Sequence, residues 1–158
     1  MAWTEPKTNW TVGTDDTLYN GDRFTYIDFN RIKNNILHMY EYARELYPID
    51  DAIAQKEADP NANFVLRDGY QDRLVSDFVY ADEFNFFEER LDFLNNVVGG
   101  ISTGEKQIFT PNGLFPNADE LNRLETLCYR LNDFLQNKYI SRRRLKFRLS
   151  QSNNHMDL

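Results

Sequence analysis

Apolar residues return along this chain at the alternating three- and four-residue spacing of helices that each bury one stripe. Phe29, Ile32, Ile36, Met39, Ala43 and Leu46 form the first stripe. Phe84, Phe87, Leu91, Leu94 and Val98 form the second, and Leu121, Leu124, Cys128, Leu131 and Leu135 the third. Start and stop signals frame each one. Thr25 and Asp28 have capping-box spacing, with Phe24 and Phe29 placed as a hydrophobic staple, and Tyr47-Pro48 ends the helix. The second helix opens near Tyr80 and stops at Gly99-Gly100. Asn117 and Glu120 repeat the capping-box spacing at the start of the third. Asp50–Ala58 reads as a short exposed helix ended by Asp59-Pro60.

The remaining segments follow other patterns. Residues 60–79 carry loop signals around Phe64-Val65-Leu66, which reads as a strand or as a tuck into the core. Lys106–Thr110 reads as a strand turned by Pro111-Asn112-Gly113, and Asn20-Gly21 as the turn of a short hairpin. Past Tyr139 the period becomes two, with Leu145, Phe147 and Leu149 alternating with Arg144, Lys146 and Arg148, which predicts a half-buried strand with a basic outer face. The expected fold is mainly α: a bundle of three long amphipathic helices with an aromatic N-terminal arm and a small β element that includes the C-terminal basic strand. The expected division is an arm over 1–24, the bundle with minor β over 25–149, and a flexible tail over 150–158.

One short pattern occurs at all three long-helix starts: an acid, an apolar residue, Asn, any residue, an apolar residue. The copies are Asp28-Phe29-Asn30-Arg31-Ile32, Glu83-Phe84-Asn85-Phe86-Phe87 and Glu120-Leu121-Asn122-Arg123-Leu124. Spacings of 55 and 37 residues between the asparagines exclude a solenoid of constant period. Asn is a poor helix-interior residue, because its amide competes for backbone groups. Asn30, Asn85 and Asn122 are therefore expected to make orienting hydrogen bonds that tie a loop or a neighbouring first turn to the bundle. The alternative is one polar cluster at one end of the bundle, which requires the three helix starts to lie together.

Charge changes the picture at the C-terminal end. Residues 137–158 hold six bases and one acid, so a net charge of −7 divides into about +5 there and about −12 elsewhere. A basic segment beside an acidic body favours docking on protein acids over nucleic acid. The single Cys128 excludes an internal disulfide and falls in an apolar stripe, so it reads as a buried structural thiol. No apolar run approaches a membrane span, and the opening MAWTEPKTNW has neither the basic nor the apolar region of a secretory signal.

The search for catalytic chemistry returns little. Gly99–Lys106 (GGISTGEK) has Glu105 where a phosphate loop needs Lys, and it follows a helix rather than a strand. With His38 and His155 alone, a His-rich metal site is out of reach, and neither cofactor nor metal is expected. Arg31 and His38 have a spacing resembling the Arg-x4–6-His motif of HEPN-type ribonucleases, but Ile32 stands where that family places a polar residue. Cleavage of RNA through this pair, or nucleic-acid binding by the basic C-terminal segment, is the alternative function. Trp3 and Trp10 read as anchors packed on a core or, if exposed, as a docking surface. Together with Arg142, Arg143, Arg144, Lys146 and Arg148 they are the candidate interaction residues.

The opening Trp3–Trp10 (WTEPKTNW), followed by Asp28–Ile36 (DFNRIKNNI), resembles the start of tail-region structural proteins of phages and prophages of Gram-positive bacteria. Tyr80–Asn85, Gly104–Lys106, Glu120–Glu125 and Arg144–Leu149 extend the similarity along the chain. The chain departs from that pattern at Phe86-Phe87 and lacks a glycine-rich ending. The resemblance implies a non-enzymatic virion component of the tail tip or baseplate, made in the host cytoplasm. Its implied partners are other tail proteins and further copies of itself, and it carries over no catalytic residue; the lack of a spanning apolar run leaves no membrane partner expected.

Overall fold

The structure, a computed structural model, describes residues 2–14, 21–67, 69–98, 100–102 and 104–153, with side chains as far as Leu145. Four helices follow in order: α1 (Tyr26–Leu46), α2 (Asp50–Ala58), α3 (Ala81–Val98) and α4 (Ala118–Asn153). All three predicted stripes are buried, and α1, α3 and α4 each pack on the other two. Each fully buried Leu, Ile, Phe or Met contributes about 2 kcal/mol by removal from water.

The three long helices run parallel. Near their starts Phe29 of α1 meets Phe87 of α3, with ring centroids 5.1 Å apart, and Arg31 of α1 reaches Glu125 of α4. Further along, Tyr40 stacks on Phe93 at 6.2 Å, Tyr42 meets Tyr139 at 5.3 Å, and Arg142 donates to the carbonyl of Leu46. Residue numbers rise together along both pairs of helices, so the starts share one end. The extended segments before α3 and α4 make this possible, because each returns the chain to that end.

Those returning segments carry little regular structure. Phe64 and Leu66 tuck into the core while Val65 faces solvent. The Phe64 carbonyl oxygen accepts from the guanidinium of buried Arg90, at 3.1 Å from Nε and 2.9 Å from Nη2. Arg90 also binds Glu57 of α2 and the Tyr70 hydroxyl, and lies over the Phe64 ring at 4.1 Å. A single arginine therefore fastens α2 and the 60–70 segment to α3. Thr110 and Gly113 close the predicted turn with a 2.9 Å bond, with Asn112 at φ 60.

The expected β element is replaced. Among the described residues there is no strand. Residues 144–149 continue α4, as do 150–153 of the expected tail. Leu, Lys and Arg are good helix formers, and lengthening an existing helix needs no new nucleus, so the period-two pattern lacks a competing sheet to join. Lys106–Thr110 forms no strand, and within it Phe109 pairs with the Asn85 side chain instead. The Asn20-Gly21 turn and residues 154–158 lie wholly or partly outside the described residues.

Candidate functional site

At each long-helix start the acid of the repeated pattern closes the cap. Asp28 accepts the Thr25 N–H at 2.9 Å, Glu83 the Tyr80 N–H at 2.9 Å and Glu120 the Asn117 N–H at 2.7 Å. The carboxylates also sit where three parallel helix dipoles present their positive ends. The apolar positions on either side of each Asn point into the core.

The asparagines bind backbone. Asn30 accepts the Arg73 N–H at 2.7 Å and donates to the Arg73 carbonyl at 2.9 Å. Asn85 makes the same two bonds to Phe109, both at 2.8 Å, and Asn122 makes them to Trp10 at 2.7 and 3.1 Å. A carboxamide presents one donor and one acceptor side by side, as a neighbouring strand would, so it satisfies both groups of one extended residue. A fourth clamp, Asn35 on Thr4, holds the arm by bonds of 2.9 and 2.7 Å.

The three repeated clamps form a closed cycle. Asn30 of α1 holds the leader of α3, Asn85 of α3 the leader of α4, and Asn122 of α4 the leader of α1. Ion pairs follow the same cycle at two of its three corners. Arg31, one residue past its Asn, pairs with Glu125, three past the Asn of α4, at 2.5 Å. Arg123 pairs likewise with Glu88 of α3. At the third corner the corresponding residues are Phe86 and Lys33. Lys33 instead reaches the carbonyls of Tyr70 and Gln71 and the Asp72 carboxylate, all within 2.9 Å.

Glu125 is the hub of the arm. Besides Arg31, it accepts the Lys7 N–H at 2.8 Å and the Trp10 indole N–H at 3.3 Å. Lys7 lies 4.2 Å from the Trp10 ring centre and donates to Asp22, which also accepts the Thr11 N–H at 2.8 Å. Those bonds, that from Lys7 foremost, hold the Asp22 carboxyl down at about 2. Burial acts the other way on Glu88, raising its carboxyl above the ordinary range against the pull of Arg123, and it also raises the Cys128 thiol.

What the leaders present outward is apolar. Leu114 is 95% exposed, Val75 83%, Ile108 78% and Phe78 76%, with Val12, Ile27 and Phe115 also more than half exposed. Three adjoining depressions lie among these residues, with Ile108 and Ile27 of α1 outside their linings. One of about 670 Å³ runs from Tyr80 and Phe84 to Leu114 and Phe115. A second of about 430 Å³ lies between Phe24, Val75, Phe78 and Phe115, and a third of about 200 Å³ between Val12, Phe24 and Phe115. Phe115 borders all three, so they form one continuous face around the helix starts.

The sequence candidates divide between these places. Trp10 is 5% exposed and clamped, so it is an anchor and leaves the set of contact residues. Trp3 is half-buried against His38 at 5.9 Å. Arg31, the first half of the ribonuclease-like pair, is bound by Asp28 and Glu125, and His38 packs between Trp3 and Tyr42. Arg142, Arg143 and Arg144 are exposed on α4, while the Lys146 and Arg148 side chains lie outside the described residues. Phe78, Leu114 and their neighbours give no signal in the sequence, since isolated apolar residues in loops carry no period. No helix among the described residues is long and apolar enough to cross a membrane. Compared with protein-family models, curated proteins and solved structures, the chain matches none of them.

Proposed function

We propose that this protein is a non-enzymatic structural component of a phage or prophage particle, of the tail or baseplate, and that it works by protein–protein assembly through its helix-start face. The observation that carries this reading is the concentration of exposed large apolar side chains on three leaders that are themselves rigidly clamped. Contiguous apolar surface of this kind marks an interface, and a surface already ordered loses little entropy on docking. The similarity of the arm and the helix starts to tail-region proteins supplies the kind of particle. The polar residues of the repeated pattern are consumed internally by caps, clamps and ion pairs.

The test is co-purification and light scattering with the products of neighbouring tail genes. Phe78→Ser and Leu114→Ser should leave the melting curve in place, because both side chains are exposed, yet weaken the complex at least tenfold. A protein that binds none of those partners, or binds equally well with both substitutions, overturns the reading.

A further inference from the structure

At the opposite end of the bundle α4 outruns its neighbours. Arg142 reaches the carbonyl of Leu46, the last residue of α1, and Arg130 already reaches the carbonyl of Ser102, beyond the end of α3. The helix continues to Asn153, so its last eleven residues extend about 16 Å past α1. Arg143, Arg144 and Leu145 are exposed on this stalk, and Lys146 and Arg148 follow in its sequence. A helical segment without packing of its own is marginal in water.

The chain around Leu46, where the stalk leaves the bundle, is rich in acids. Residues 41–59, covering the last turns of α1 and all of α2, hold six acids and two bases. Glu45 and Asp51 are exposed within five residues of Leu46, and Asp50 between them is exposed but paired with Arg44 at 3.3 Å. The stalk runs away from this rim along the helix axis: Arg142 reaches Leu46, and Arg143 lies over the Tyr139 ring of its own helix at 5.6 Å. A second copy related by a two-fold axis could place its stalk on this rim and receive this stalk on its own. Each charge contact then occurs twice, as in any isologous interface.

We infer that the protein forms a two-fold dimer in which the basic stalk of each copy, Arg143 and Arg144 foremost, docks on the Glu45–Asp51 rim of the other. Charge complementarity selects this occupant. A body of net charge about −12 repels a polyanion, whereas it presents the stalk with a matching partner on the same chain. The dimer end lies away from the apolar face, so the inference does not rest on the identity of the partners docked there.

Sedimentation equilibrium in low and high salt tests it. The wild type should be dimeric at about 0.05 M salt and dissociate by about 0.5 M, where exposed charges are screened. Arg143→Glu/Arg144→Glu and Glu45→Lys/Asp51→Lys should each be monomeric at low salt. An equimolar mixture of the two should form dimers again, since each reversed stalk then meets a reversed rim and each native stalk a native rim. Circular dichroism checks that the variants keep their helices, and the milder Glu45→Gln/Asp51→Asn should weaken the dimer without adding repulsion. A monomeric wild type, a dimer indifferent to the reversals, or a mixture that stays monomeric overturns the inference. So does a monomer whose stalk binds a DNA or RNA oligonucleotide at low salt. Phe78→Ser should leave this dimer intact, which separates failure here from failure of the assembly reading.

Discussion

Replacing Asn122 by Ala removes both hydrogen bonds to Trp10 and leaves its N–H and C=O without the carboxamide. Each bond is worth about 1 kcal/mol net. That net figure already includes exchange with water, so the expected cost of losing both is about 2 kcal/mol. For a domain of this size that corresponds to a fall of about 4–8 °C in Tm. Asn122→Asp should cost at least as much, because it keeps the acceptor but sets a carboxylate against the Trp10 carbonyl. The discriminating assay is amide hydrogen exchange. Thr4, Trp10, Arg73 and Phe109 belong to no helix, yet each N–H is held by an asparagine. All four should be protected in the wild type, and Asn122→Ala should release Trp10 first while Arg73 and Phe109 stay slow. Four amides exchanging as fast as open loops, or an Asn122→Ala variant that loses less than about 0.5 kcal/mol, would refute the clamp.

Three further outcomes follow from the same contacts. Asp22 is held down at about 2 against an ordinary 3.8, so its contribution to folding is present above the ordinary value and lost as the pH falls through the lower one. Tryptophan fluorescence should therefore report the arm loosening in strong acid, and Asp22→Asn should already be loosened at neutral pH and lack that step. Cys128 is buried with its thiol pushed up, so a thiol reagent should label it only after unfolding, and rapid labelling of the native protein would contradict its position. The double substitution Lys33→Glu/Phe86→Arg, which writes the missing ion pair into the third corner, should destabilise by about 4 kcal/mol. It takes a charged donor from the Tyr70 and Gln71 carbonyls and places a cation where Phe86 packs on Phe87; a denaturation midpoint at or above wild type would show that the ion pairs dominate this end.

Helix positions were legible because the stripes are buried on one side only, and burial follows the three-four spacing from Phe29 to Leu135. Asn30, Asn85 and Asn122 stood out as a repeat, but their partners did not. Arg73, Phe109 and Trp10 share no residue type, since a carboxamide reads backbone and leaves the clamped side chain free to vary. Parallel packing was equally hidden, because it depends on how the leaders return and not on the helices. The basic segment misled for a different reason. Arg144–Leu149 alternates as a strand does, yet a strand needs a partner edge and a helix needs only its own preceding turn.

The cyclic arrangement explains why the polar repeat and the outward surface belong to different residues. A leader held at its backbone by an asparagine has its main-chain groups satisfied without a sheet, so its alternate side chains can face outward without loss of order. Phe109 turns into the core while Ile108 beside it faces solvent. The same holds before α3, where Arg73 is clamped and turned onto Glu83 while Leu74 and Val75 are exposed. At the start of α1 Trp10 is buried and Val12 exposed. Each corner thus joins one inward anchor to an outward apolar position within two residues of the clamp. Three such corners around parallel helix starts give a face whose shape is set by the bundle and whose chemistry is set by the leaders. Substitution of outward residues can change what the face binds without touching what holds it together.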